Sequence, residues 1–149
     1  LHDAMNYWLY ITNSDNWQVT KETNLLGASE RHRNALSRME KGDKCLIYVK
    51  AERKAGEVIT PKIVGEYEIV SLVFENNTRI FHAPINRDET FNLRVRLAPV
   101  RVFSTPIEYK PLVPILSFIK NKRHWSGTLQ GNAVFKIPEA DYRTIISSA

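Results

Sequence analysis

Two segments of this chain bring tryptophan together with groups able to read or neutralise a nucleotide. Near the start stands Tyr7-Trp8-Leu9-Tyr10-Ile11-Thr12-Asn13-Ser14-Asp15-Asn16-Trp17; near the end stands Phe118-Ile119-Lys120-Asn121-Lys122-Arg123-His124-Trp125. Nucleobases stack on aromatic rings, and Lys and Arg neutralise phosphates. Two such segments, over a hundred residues apart in sequence, point to one site closed by the fold. Trp17 leaves a polar turn and Trp125 sits in a basic setting, so these are the rings expected to line it. Asn13 and Ser14 end the first apolar run, where an amide offers both a donor and an acceptor to a base edge. Ser29 and the backbone amides behind Gly27 can meet a base or phosphate at a helix start. Arg31, His32 and Arg33 on the first helix, with Lys120, Lys122 and Arg123, supply cations for phosphates.

Each of these residues also has a plainer role. Asn13 can cap its own turn, and Ser29 can be an ordinary helix cap. Charges on a helix can face solvent, and Trp125 can seal a core. Trp8 lies within the apolar run and is expected in the core. Arg94 and Arg96 project from one strand face, either solvated or extending a basic surface.

Other chemistries find little support. The four histidines lack metal-ligand spacing, and one cysteine makes no thiolate cluster, so neither a metal nor a cofactor is expected. Glu66 and Glu68 share a strand face, but nothing marks them as an acid/base pair. The chain is therefore expected to bind rather than to catalyse. Cys45 is expected as a small buried hydrophobe; alone, it excludes a disulfide framework within one chain and fits a reducing cytoplasm. No apolar run approaches the ~20 residues of a membrane span. A net charge of +5 favours polyanionic partners modestly. The 149 residues fit one domain, expected over residues 5–149. Leu1 to Ala4 read as an appended remnant, with Met5 as the native start.

These residues must be positioned by alternating short elements. Tyr7 to Thr12 reads as a strand, followed by a turn at residues 13–16 and a short helical turn over Trp17 to Asn24. Ser29 starts a helix with an Ala35, Leu36 and Met39 stripe, ended at Lys41-Gly42-Asp43. Lys44 to Lys50 is a strand, and Ala51 to Pro61 a charged loop. Ile63 to Phe74 is a long central strand. An irregular stretch from Thr78 to Glu89 contains Phe81, His82 and Pro84. Phe91 to Phe103 is the clearest strand. Its apolar phase switches near Pro99 to Ala98, Val100 and Val102, which demands an extra residue or a bend. Leu112 to Ile119 reads as a short helix, Gly127 to Asn132 as a loop and Ala133 to Ile137 as a strand. A terminal helix opens at Pro138.

In order along the chain, several segments resemble the EVE domains of the PUA-like superfamily, relatives of the YTH domains. They are Tyr7-Trp8-Leu9 with Thr12-Asn13 and Asn16-Trp17, Leu26-Gly27-Ala28-Ser29-Glu30-Arg31-His32, Gly42-Asp43-Lys44 and Pro61-Lys62-Ile63-Val64-Gly65. Phe118 to Trp125 and Ile137-Pro138-Glu139-Ala140-Asp141-Tyr142 complete the series. The likeness looks closest to archaeal proteins of this type. It implies an α+β, PUA-like fold: a small mixed β-barrel of five to six strands with flanking short helices. It implies binding of a modified base in DNA or RNA, flipped or unpaired, in an aromatic-lined pocket. It also admits a fused or associated motor or nuclease subunit, as in McrB-like restriction proteins. Where the family often carries Trp before its Gly-x-Ser segment, this chain has Leu26. Either the pocket has one ring fewer, or Trp17, Phe81 or Trp125 supplies that wall.

The expected function is a nucleic-acid reader that captures one flipped or unpaired, methylated base. Asn13, Ser14, Trp17, Leu26, Gly27, Ser29, Phe81 and Trp125 are the expected base contacts. Three alternatives stand beside it: a general RNA-binding PUA-type module, a hydrolase of modified nucleosides like the ASCH barrels, and a small-molecule or protein-interaction domain with no nucleic-acid role.

Overall fold

A computed structural model describes residues 4–83 and 88–149. The elements run β1 (Tyr7–Thr12), α1 (Ser14–Thr23), β2 (Leu25–Ala28), a 3-10 turn (Glu30–His32) leading into α2 (Arg33–Leu36), and β3 (Lys44–Val49). Next come β4 (Glu52–Lys54), β5 (Glu57–Ile59), β6 (Lys62–Ile69), β7 (Phe74–Glu75) and the long β8 (Leu93–Glu108). Two 3-10 turns (Lys110–Ile115 and Trp125–Thr128), β9 (Val134–Ile137) and α3 (Glu139–Ile146) complete the chain. Pro84 lies outside the described residues.

The principal sheet curls as a half-barrel in the order β2-β8-β6-β3-β1-β9, with β7 attached to β8. This is the α+β architecture expected. β1 and β3 are parallel neighbours, with Thr12 opposite Val49 at their shared end; the other pairings are antiparallel. A parallel pair needs a long crossover, which α1, β2 and α2 provide.

The apolar runs of β1 and β3 follow from burial on both faces. Tyr7, Leu9, Leu46 and Tyr48 join one core, against Tyr109, Leu112 and the α3 residues Tyr142 and Ile145. Trp8, Tyr10, Cys45 and Ile47 join a second core with Leu36, Met39 and Val95. Trp8 is a core residue, and its indole N–H is satisfied by Asp43 Oδ2 at 2.9 Å. The Asp43 carboxylate also accepts from the Asn6 and Glu40 amides, which locks β1 to the turn before β3.

The phase switch in β8 is a bulge. Tyr67 faces Pro99 while Glu66 faces Arg101, leaving Val100 as the extra residue. The side chains differ from expectation: Val100 and Val102 are exposed, and Phe103 and Ile107 carry the apolar face into the core. Arg94 departs further from the surface position expected of it. It is the largest of the fully buried side chains, at 1% exposure, and not a surface cation.

Local turn chemistry also differs. The residues read as a turn at 13–16 start α1 instead: Asn13 is its N-cap, with Oδ1 accepting from the Asn16 amide at 2.8 Å. Residues 51–61, read as a loop, hold the β4–β5 hairpin, and residues 25–28 form a strand. The segment after Tyr109 winds as a 3-10 turn over Lys110–Ile115, with Pro114 inside it. No helix among the described residues is long and apolar enough to cross a membrane.

Candidate nucleic-acid interface

β1 and β3 end at the same level, and the chain turns away after each, at Asn13 and Lys50. The notch left there is a cavity of about 540 Å³. From β1, Tyr10 and Thr12 line it; from β3, Tyr48; from the end of β2, Gly27 and Ala28. Trp125 and the turn through Gly131 and Asn132 close another side, and Phe91 also lines it.

Two lining rings, Tyr48 and Trp125, are joined through Tyr109, which is buried in the core behind them. Tyr48 packs edge-on to Tyr109 at 4.8 Å between centroids, and Tyr109 meets Trp125 at 5.8 Å. Trp125 is half-buried: one part packs on the core while the rest borders the cavity. Burial pushes the Tyr48 phenol up to about 12, so it stays a neutral O–H at ordinary pH. At Tyr10, the hydroxyl donates to Gly27 O at 3.2 Å and accepts from Gly27 N at 3.3 Å, tying β1 to β2 beneath the cavity.

Gly27 is needed there by close approach. A Cβ at this position would stand 2.5 Å from the Phe81 ring. Replacing Gly27 with alanine is expected to lower stability by ~1–3 kcal/mol, the usual range for overpacking. A urea titration checks this; an unchanged midpoint would show that the Phe81 ring shifts freely.

The polar groups of the cavity are unequal. Asn13 has committed its Oδ1 to the α1 cap, which leaves the amide N–H groups to a ligand. Ser29 makes no side-chain cap bond, so its hydroxyl is uncommitted. Arg31 and Lys50 are exposed cations on the lining. His32 also lines the cavity; burial first, and then the Arg31 charge, hold its imidazole below the ordinary value. It is therefore mainly neutral at pH 7 and suits a base edge better than a phosphate.

The cavity thus gathers Asn13, Gly27, Ser29, Trp125, Arg31 and His32 from the residues singled out by sequence. The others stand elsewhere. Trp17 points from α1 onto Tyr67, edge-on at 6.2 Å, with Lys21 over its ring. Leu26 is wholly buried in the second core, and Phe81 is buried under Gly27. Arg33 is engaged by Glu30 and Glu75. Lys122 Nζ donates to Val113 O at 2.9 Å and Leu116 O at 2.5 Å, which pins a loop rather than offering a cation to phosphate. Lys120 and Arg123 are exposed but do not line the cavity.

Ser14 gives its amide and hydroxyl to Glu52, at 2.7 and 2.8 Å. Partial burial raises the Glu52 pKa, but the Ser14 bonds and Lys54 outweigh it and the net shift is downward. A carboxylate with a depressed folded pKa contributes stability above its unfolded value, and that contribution disappears as pH falls through the folded value. Glu52→Gln is accordingly expected to destabilise at pH 7, with the difference from wild type shrinking at pH 3. Denaturant titrations at both pH values read this directly.

Sequence reasoning missed Tyr10, Tyr48, Lys50 and Phe91. The first three follow only from the parallel pairing of β1 and β3, which brings the ends of both strands to one notch. Phe91 carried no sequence signal. It adopts φ 52°, a left-handed conformation rare for an aromatic residue. Local side-chain bonds hold it there: its amide donates to Glu89 Oε1 at 3.0 Å and its carbonyl accepts from Arg94 Nε at 2.9 Å. Among the described residues, no cluster of His, Cys, Asp or Glu is placed to hold a metal ion.

Residues 6–148 match the EVE domain family. A UPF0310 protein of Pyrococcus abyssi is 48% identical over 145 residues, covering 96% of this chain and 99% of its own. Two solved structures share the fold at low identity. The human THYN1 protein, in complex with 5-methylcytosine-containing DNA, superposes with TM-score 0.62 at 15% identity, over 95% of this chain and 96% of that one. The YTH domain of the Zygosaccharomyces rouxii MRB1 protein, in complex with N6-methyladenosine RNA, gives TM-score 0.64 at 13% identity, over 99% and 88%. The family match runs nearly end to end and the archaeal relative is similar along its whole length; the chain belongs to the EVE domain family.

Proposed function

We propose that this protein reads nucleic acid by seating one unpaired or extruded, modified base in the cavity at the ends of β1 and β3. The observation that carries the reading is the cavity itself: about 540 Å³, bordered by Trp125 and Tyr48, with exposed Arg31 and Lys50 on its lining. That volume falls within the ~300–1,000 Å³ of ordinary small-ligand sites. Trp125 stacks on the base; the Asn13 amide, the Ser29 hydroxyl and neutral His32 address its edge; a methyl substituent gains apolar contact with the rings. The likeness to folds that hold 5-methylcytosine DNA and N6-methyladenosine RNA supports a methylated base as the ligand.

The energetics assign the cations a share. Stacking contributes ~1–3 kcal/mol per base, and extruding a paired base costs a few kcal/mol. These terms nearly cancel, so phosphate contacts supply much of the net affinity, which falls as salt rises. In this reading the domain recognises without turnover, in the cytoplasm, and any motor or nuclease acts from another segment or subunit.

The test uses paired oligonucleotides of one sequence, methylated and plain, at two salt concentrations, followed by product analysis. Preference for the methylated strand with no product supports the reading. Equal affinity points instead to a general RNA-binding module, and a released or altered base to a hydrolase.

A further inference from the structure

The connection from β3 to β6 leaves the cavity rim at Lys50 and projects as the β4–β5 hairpin, which pairs with no other strand among the described residues. Its turn is Ala55-Gly56, with φ of 51° and 81°, the left-handed pair that matches the twist of a two-residue hairpin. An isolated two-stranded hairpin is marginally stable in water. This one is held by its first residue: Glu52 accepts both Ser14 bonds at the start of α1, and Lys54 Nζ reaches Ser14 Oγ at 2.7 Å. The pleat alternates along both strands. Glu52 opposes Ile59 and Lys54 opposes Glu57 on the anchored face, while Arg53 opposes Val58 on the other. Val58, at 63% exposure, is the most exposed large apolar side chain among the described residues. Arg53 is exposed beside it and joins none of the ion pairs of the described residues.

We propose that this hairpin is a second nucleic-acid contact, an arm that grips the strand next to the seated base, with Arg53 on a phosphate and Val58 against the face of a neighbouring base. The inference rests on the cavity reading for its placement, because Lys50, just before the arm, lines the cavity. Three features favour nucleic acid over a protein partner. The outer face is positive, and the Glu52 carboxylate is turned inward onto Ser14. The exposed apolar surface is one or two side chains, too little for the core of a stable protein interface. A flat base alternating with a phosphate fits an arginine–valine pair set side by side.

The experiment compares wild type, Arg53→Gln and Val58→Ser, each confirmed folded by thermal melting, against two probes. One is a methylated mononucleotide, which reaches only the cavity; the other is a single-stranded oligonucleotide carrying the same base at its centre. Mononucleotide affinity is expected to be equal in all three proteins. For the oligonucleotide, Arg53→Gln is expected to lower affinity several-fold and to reduce the salt slope by about one. Val58→Ser is expected to lower affinity with the slope unchanged. Oligonucleotide binding equal to wild type in both variants overturns the arm. Wild-type protein that ignores every methylated mononucleotide overturns the cavity reading instead, and the two failures are thereby distinct.

Discussion

Replacing Arg94 with methionine is expected to cost ~3 kcal/mol of folding stability, since it removes three hydrogen bonds from a charged donor and leaves part-buried carbonyls unpaired, at ~1–3 kcal/mol each. The guanidinium donates to three carbonyls: Thr78 at 2.6 Å, Thr90 at 3.1 Å and Phe91 at 2.9 Å. It also lies 5.2 Å over the Phe81 ring. Methionine keeps the length of the side chain and removes every donor. Chemical denaturation measures the loss, and the melting temperature should fall by roughly 6–12 °C at this chain length. Lysine at the same position keeps one charge but cannot fork, so an intermediate loss is expected. A methionine variant within ~1 kcal/mol of wild type would show that water or neighbouring groups satisfy these carbonyls. The effect also reaches the cavity, because Arg94 Nε holds the Phe91 carbonyl and so the ring that lines the site.

The second large effect concerns binding. Trp125→Ala is expected to weaken affinity for a methylated oligonucleotide by about 5- to 150-fold, the equivalent of ~1–3 kcal/mol for one stacked base. Trp125→Phe keeps a π-face and should restore most of it. Because Trp125 also packs on Tyr109, the alanine variant is to be compared well below its melting temperature. Trp17→Phe serves as the contrast. That ring meets Tyr67 and stands outside the cavity lining, so oligonucleotide affinity should stay near wild type. Affinity that follows Trp17 rather than Trp125 would move the binding site away from the strand ends.

The strands were legible because their chemistry is local. β1, β3 and β9 show in the β-branched and aromatic runs, and the place of the β8 bulge shows in the phase change near Pro99, although Val100 and Val102 of the new phase are exposed. The order of motifs from Tyr7-Trp8-Leu9 to Tyr142 carried the family. What escaped was set by frame and by tertiary contact. The residues Asn13-Ser14-Asp15-Asn16 suit a turn and a helix start equally, since both use side chains that bond nearby amides. Beginning α1 at Ser14 turns Trp17 toward Tyr67 and Gly65. Lys122 looked like a phosphate ligand because a basic run does not reveal which ammonium will pin a loop. Arg94 alternated like a solvated strand residue, and only the loop of Thr78, Thr90 and Phe91 accounts for its burial.

The chain has three tryptophans, each in a different setting: Trp8 in the core, Trp17 against Tyr67 and Trp125 at the cavity. Their indole N–H signals in a proton–nitrogen NMR spectrum therefore report separately on the three places. Titration with methylated mononucleotides is the most direct test of the cavity as a base site. The Trp125 signal is expected to shift with saturation while those of Trp8 and Trp17 stay fixed. A ligand that binds and moves Trp17 alone, or leaves all three signals in place, would contradict the account.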